Sequence, residues 1–264
     1  MKNKILLLHH LSGSGGTIIT KLISTDRKVR TLNEINPNTV SFNNENFSPT
    51  TLVEQFFTRY DFEENPNKPS LKNLVKDKFS FELSLINKHC IKFGLKLVLR
   101  DWSFGDFFYP EGDLEGNLKK IVDETQSSFS EINSLVTLRH PMDTFLSNLR
   151  SDFVKLESFS TFCISMEQFI LYYQKQGAKF IKYEDIINNV ESFIDFMDKN
   201  YDIKIPNDYL SLINIYSFSG DSGRKSEKLE LHPRTDEDYE IIYSNALNQQ
   251  EPYINLVNVL GYKI

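Results

Sequence analysis

The residues best suited to chemistry gather at four places. Near the N-terminus, Ser12-Gly13-Ser14-Gly15-Gly16-Thr17 follows the apolar run Ile5-Leu6-Leu7-Leu8 and the pair His9-His10, and it precedes the amphipathic segment Ile18-Ile19-Thr20-Lys21-Leu22-Ile23. Glycines let a main chain close around an anion without a Cβ clash. The hydroxyls of Ser12, Ser14 and Thr17 add donors, and a helix starting after such a loop points unpaired N–H groups at the same spot. That is the chemistry of holding a phosphate. The second place is Arg139-His140-Pro141 with Ser147 beyond it, where a planar guanidinium and a hydroxyl can grip another anion. Tyr183-Glu184-Asp185 and Gly223-Arg224-Lys225 are the third and fourth.

Spacing narrows the kind of loop. A nucleotide-triphosphatase loop needs Gly-x-x-x-x-Gly-Lys-Ser/Thr, with the lysine reaching the terminal phosphates. Here Gly16 stands where that lysine would precede Thr17, which argues against an ordinary ATPase or GTPase. The dinucleotide pattern Gly-x-Gly-x-x-Gly fails as well, because Ile18 follows Gly15 at the third position. A phosphate loop of another family is the better reading.

The elements that must carry these residues alternate. Strands are expected over residues 5–8, 28–32, 96–101, 135–139 and 179–182, and helices over 18–23, 71–93, 114–130, 141–149, 160–176, 186–200, 236–247 and 251–260. A further segment at 51–57 has helical spacing, and 207–217 is weakly helical. Ser70 is suited to cap the helix from Leu71, Gly94 to end it, and Pro141 to open the next one. Residues 33–37 read as a turn, and the aromatic stretch 102–110 as an irregular segment able to line a pocket. This alternation implies one α/β domain over 1–264, a three-layer arrangement of a mainly parallel sheet with helices on both faces, of the P-loop nucleotide-binding type. Polar groups at strand C-termini then converge where such sheets bind ligands.

The chain has 264 residues, 40% hydrophobic, enough to bury a substantial core. A net charge of −6 excludes a nonspecific nucleic-acid binder, although a local basic pocket is compatible with it. Cys90 and Cys163 lack the spacing of a zinc or redox site, and no His/Cys/Asp cluster has metal-ligand spacing. Both cysteines are expected in the core. No apolar run approaches the roughly 18 residues of a membrane helix, so a soluble, cytoplasmic protein is expected.

Taken in order, the four motifs resemble those of sulfotransferases that use 3′-phosphoadenosine 5′-phosphosulfate (PAPS). The terminal Leu260-Gly261-Tyr262 is also common in that family. The resemblance implies that the first loop, through Ser12, Gly13, Ser14, Gly15, Gly16 and Thr17, holds the donor's 5′ end. It assigns the 3′-phosphate to Arg139 and Ser147, with Arg224 and Lys225 closing over it, and the adenine to Tyr183. One departure matters: Gly13 stands where the family usually carries Lys or Arg. A comparable donor contributes about 2.7–4 kcal/mol of transition-state stabilisation in other enzymes, so a substitute is expected among His10, Lys21 and Arg100.

The acceptor must lose a proton, which calls for a base. Glu34 is the first candidate, similar in placement to the glutamate of protein-tyrosine sulfotransferases; Asp101 and His10 follow. The implied activity is sulfuryl transfer to a hydroxyl or amine of a small-molecule, lipid or carbohydrate acceptor. Two alternatives stay open: a P-loop kinase-like phosphotransferase, and a non-catalytic nucleotide-binding protein with a degenerate loop.

Overall fold

The computed structural model describes residues 4–35, 69–101, 122, 131–150, 158–215, 229–231, 234–246 and 250–262. Five strands, β1 (Lys4–His10), β2 (Val29–Ile35), β3 (Lys96–Asp101), β4 (Glu131–Leu138) and β5 (Lys179–Lys182), form an all-parallel sheet in the order β2-β3-β1-β4-β5. The α/β, P-loop-like architecture expected from the alternation is the one observed. Helices α1 (Gly16–Ser24), α2 (Pro69–Phe93), α3 (Pro141–Leu149), α4 (Phe159–Lys175), α5 (Tyr183–Asn188), α6 (Val190–Tyr201), α7 (Tyr209–Ile213), α8 (Asp236–Ala246) and α9 (Gln250–Leu260) complete the described chain.

β1 is central because its side chains are apolar on both faces. Leu6 and Leu8 join Val98 and Leu135 against Ile19, Leu22 and Ile23 of α1 and Phe193 and Met197 of α6. Ile5 and Leu7 turn the other way, with Leu97 and Leu99, onto Leu83 and Cys90 of α2. Val136 and Leu138 continue that second face onto Phe145 of α3, Phe162 and Phe169 of α4, and Leu256 of α9. A side chain as enclosed as Leu8, at 0% exposure, contributes enough that truncation to Ala costs about 2–5 kcal/mol. Cys90 and Cys163 are both free and buried, in keeping with simple packing.

The connections set the site. From β1 the chain crosses to β2 on one side, and from β4 to β5 on the other, so the crevice between the C-terminal ends of β1 and β4 is the topological switch point. The loop after β1 and the Arg139-His140 link after β4 both open there.

Several boundaries differ from the sequence expectations. β2 starts at Val29 and runs to Ile35, where a turn was expected, because its end pairs with β3 through a register shift between Leu32 and Ile35. β4 begins at Glu131, its polar first half being held by the β1 ladder from Lys4 onward. Pro69 already lies in α2, so Ser70 is not outside the helix as a cap. The helix after β5 is interrupted at Asn189, whose side chain accepts from the Ser192 N–H and starts α6 afresh. Of the weakly helical 207–217, the described residues 207–215 hold only the short helix α7, and Leu149 at the end of α3 is 42% exposed. The helical spacing at 51–57 and the aromatic stretch 102–110 lie outside the described residues, as does 114–130 apart from the buried, helical Val122.

Candidate active site

The loop between β1 and α1 is built by its own hydroxyl and its glycines. Ser14 donates from Oγ to the Leu11 carbonyl at 2.7 Å and from its N–H at 3.1 Å, and its Oγ lies 3.4 Å from Thr137 Oγ1 on β4. Its hydroxyl therefore shapes the loop. Asn148 of α3 donates to the Ser12 carbonyl at 2.8 Å, tying the loop's other side. Gly15 caps α1 with φ 86°, no side-chain hydrogen bond completes that cap, and no acidic residue sits in the first turn. The first-turn N–H groups, those of Gly16 and Thr17 among them, have no intrahelical acceptor, an arrangement chemically suited to an anion.

What crowds each glycine explains its place in the motif. A Cβ at Gly13 (φ 79°) would meet Ser147 Cβ and the Thr144 carbonyl, each at 2.9 Å. A Cβ at Gly15 would enter the Tyr183 ring at 2.3 Å, and one at Gly16 the His10 imidazole at 2.2 Å. Thus the residue before Thr17 has no side chain because His10 stands where it would go.

The second and third motifs close on this loop. Arg139 donates from Nη1 to the Gly13 carbonyl at 3.1 Å, and its guanidinium lies 5.2 Å from the centre of the Tyr183 ring. Burial holds the Tyr183 phenol above its ordinary pKa, so it stays neutral. Ser147, on α3, flanks Gly13 from the other side. Gly13, Gly15, Arg139, Ser147 and Tyr183 are therefore brought together, while Arg224 and Lys225 lie outside the described residues.

Glu184, which the Tyr-Glu-Asp motif alone gives no role, locks the motifs to one another. One carboxylate oxygen accepts from the His140 N–H at 2.7 Å and the other from the Tyr262 hydroxyl at 2.8 Å. His140 in turn accepts from the Met142 N–H at Nδ1, capping α3. Burial, then the Arg234 guanidinium, lowers the His140 pKa to about 4. Arg234 itself clamps Asp143 in the first turn of α3 with bonds of 2.8 and 3.0 Å. No motif contains that pair, and only the fold reveals it.

Arg100 forms the centre of a separate buried cluster at the end of β3. Leu32 pairs with Leu99 and Ile35 with Asp101, so Asn33 and Glu34 together stand opposite Arg100 alone. This is a β-bulge, and Glu34 pays for it with a φ of 54°, unusual for a residue with a side chain. The result is that both bulge residues reach the guanidinium: Nη1 donates to Asn33 Oδ1 at 2.7 Å, and Nη2 meets Glu34 Oε1 at 2.9 Å. His10 Nε2 accepts from Arg100 Nε at 3.0 Å and Nη2 at 2.6 Å, with Glu34 Oε1 3.7 Å away. Arg100 Nη2 also donates to Thr17 Oγ1, at the start of α1, at 3.2 Å. Burial lowers the Arg100 pKa to about 10, opposed by Glu34, so it remains cationic at neutral pH. Burial first, and then Arg100, brings His10 down to about 4. Because His10 Nε2 is an acceptor, its proton sits on Nδ1, which is buried without a hydrogen-bond partner among the described residues.

Asp101 belongs elsewhere. It follows Arg100 on the strand and so turns to the opposite face, where Oδ2 pairs with His9 Nδ1 at 2.9 Å and accepts from the Tyr173 hydroxyl at 3.2 Å. His9 stacks on Tyr173 with ring centres 4.1 Å apart and contacts Ser134 Oγ at 3.2 Å through Nε2. Of the three base candidates, Glu34 and His10 share one cluster and Asp101 anchors another. Lys21 is buried on α1, one turn beyond Thr17.

No family model and no curated protein matches the sequence. Solved structures do match by shape. The sulfotransferase domain from the Synechococcus PCC 7002 olefin synthase superimposes with a TM-score of 0.56 at 12% identity, covering 100% of this chain and 97% of that one. The sulfotransferase domain from the curacin biosynthetic pathway gives a TM-score of 0.56 at 12% identity, covering 100% and 99%. The chain has the sulfotransferase fold. At 12% identity the likeness speaks for the fold alone, so the chemistry rests on this chain's own residues.

Proposed function

We propose that this chain is a sulfotransferase, moving a sulfuryl group from PAPS to a hydroxyl or amine of a small-molecule, lipid or carbohydrate acceptor. The observation that carries the reading is the uncapped N-terminus of α1, wrapped in a glycine loop and flanked on one side by Arg139 and on the other by Arg100. Two separated cationic positions suit a ligand with an anionic group at each end. The donor supplies an activated S–O bond to its 5′-phosphate: acceptor oxygen or nitrogen bonds to sulfur, that S–O bond breaks, and its electron pair stays on the phosphate. In this chain the loop amides, with Ser12 and Thr17, would hold the 5′ end, Ser14 would keep the loop in shape, and Arg139, Ser147, Arg224 and Lys225 would take the 3′-phosphate. Tyr183, stacked between Gly15 and Arg139, would bear on the adenine.

Glu34 is the proposed general base. A carboxylate has several lone-pair sites, so it can hold Arg100 and still accept the acceptor's proton. His10 suits that role less, since Arg100 occupies its Nε2 lone pair, and Asp101 faces His9 and Tyr173. A kinase-like reading is disfavoured by Gly16, where the His10 ring leaves no room for a lysine. The test is release of adenosine 3′,5′-bisphosphate from PAPS against a panel of hydroxyl and amine acceptors. Glu34→Gln should lower turnover about 10²- to 10⁴-fold with bisphosphate affinity nearly unchanged. Tight bisphosphate binding with no transfer to any acceptor would favour the non-catalytic reading instead.

A further inference from the structure

The loop lacks the cation that the proposed reaction needs, and the structure explains both the loss and its remedy. Gly13 cannot carry a lysine as the loop stands, because α3 presses Ser147 Cβ and the Thr144 carbonyl to 2.9 Å from the place of its Cβ, at a φ of 79° that side chains avoid. Three other groups near the loop were candidates. His10 is a neutral acceptor toward Arg100 and brings no charge. Lys21 starts from a Cα about 6 Å further along the helix axis than Thr17, away from the N-terminal N–H groups. Arg100 is 2% exposed and already touches the loop through Thr17 Oγ1 at 3.2 Å.

Resting on the sulfotransferase reading, we propose that Arg100 is the catalytic cation of this site, delivered from the end of β3 to the phosphosulfate end of the donor in place of the missing loop lysine. The β2 bulge is the device that makes this possible. Placing Asn33 and Glu34 both opposite one residue gives Nη1 and Nη2 each a partner, while His10 Nε2 receives Nε. A long side chain is thereby fixed in one orientation with its planar edge beside Thr17. Asn33 and His10 are positioning residues that act through Arg100. Glu34 both positions it and, as proposed above, takes the proton. The charge accumulating on the leaving phosphate oxygen as the S–O bond breaks is what the guanidinium would neutralise.

The experiment compares two probes on the purified full chain: PAPS, which has both anionic ends, and adenosine 3′-monophosphate, which has only the 3′ end. Arg100→Gln is expected to weaken PAPS about ten- to hundredfold, the range for a charged hydrogen bond, and to leave adenosine 3′-monophosphate within threefold. Turnover with any competent acceptor should fall about 10²- to 10³-fold. Should Arg100→Gln fail to fold, Arg100→Lys keeps the charge but loses the guanidinium fork, and should weaken PAPS about three- to tenfold while again sparing the 3′ probe. Equal losses on both probes, or no loss on PAPS, overturn the assignment of Arg100. Wild-type protein that binds neither probe overturns the sulfotransferase reading itself.

Discussion

Acid should unfold this protein partly through one histidine, and the size of the effect follows from its surroundings. His10 is wholly buried and its Nε2 accepts from Arg100, so a second proton would remove an acceptor and set two cations together. Its pKa falls from 6.5 to about 4 in the folded chain. The unfolded chain binds that proton below 6.5 and the folded chain resists it until about 4, so stability drops as pH falls through this window and levels off beneath it. At about 1.36 kcal/mol per pKa unit, a shift of this size amounts to about 3 kcal/mol between pH 7 and pH 4. Urea denaturation of wild type and His10→Gln across that range measures it, since Gln offers Arg100 an acceptor and cannot titrate. His140 falls in the same direction but is common to both proteins and cancels. Wild type should lose about 3 kcal/mol more than the variant on acidification. Parallel stability curves would refute the proposed state of His10 and its bond to Arg100.

Two other substitutions read the loop directly. Gly16→Ala would drive a methyl group into the His10 ring, now 2.2 Å from that point, and should cost about 1–3 kcal/mol by thermal or chemical denaturation; unchanged stability would mean His10 does not pack there. Arg139→Ala should weaken adenosine 3′,5′-bisphosphate at least about tenfold while leaving the unliganded melting temperature nearly unchanged, because its contacts are a carbonyl oxygen and a ring face. A large loss of stability with affinity intact would make Arg139 a structural residue.

The sequence carried the fold through its periodicities. Ile5 to Leu8 is apolar at every position, as a strand buried on both faces must be, and the Phe- and Ile-rich pattern of α4 puts Phe162, Phe169 and Tyr173 on one face. The glycines of the first loop were legible because close packing restricts residue type where Tyr183 and His10 approach the main chain, and Arg139 stands beside that loop as its motif suggested. Three features were hidden. The bulge at Glu34 is hidden because a positive φ at glutamate leaves no mark in composition, and Asn33-Glu34-Ile35 followed by Asn36-Pro37 has the look of a turn. The partners of Glu184 and Arg234 are long-range, joined 44, 78 and 91 residues apart, and no local pattern encodes such pairs. Asp101 resembled Arg100 in placement at a strand end, but alternation sends neighbouring side chains to opposite faces, and its partners His9 and Tyr173 come from elements distant in the chain.

The central claim is that the α1 loop and Arg139 hold the two anionic ends of one nucleotide. Calorimetric titration of the unliganded protein with adenosine 3′,5′-bisphosphate and, separately, with adenosine 5′-monophosphate tests it most directly. The bisphosphate should bind at least about tenfold tighter, the worth of a charged hydrogen bond to its 3′-phosphate, and at about 100 times its Kd it should add about 2.7 kcal/mol to stability. Equal affinities for the two nucleotides would contradict the 3′-phosphate site, and binding of neither would contradict the sulfotransferase reading as a whole.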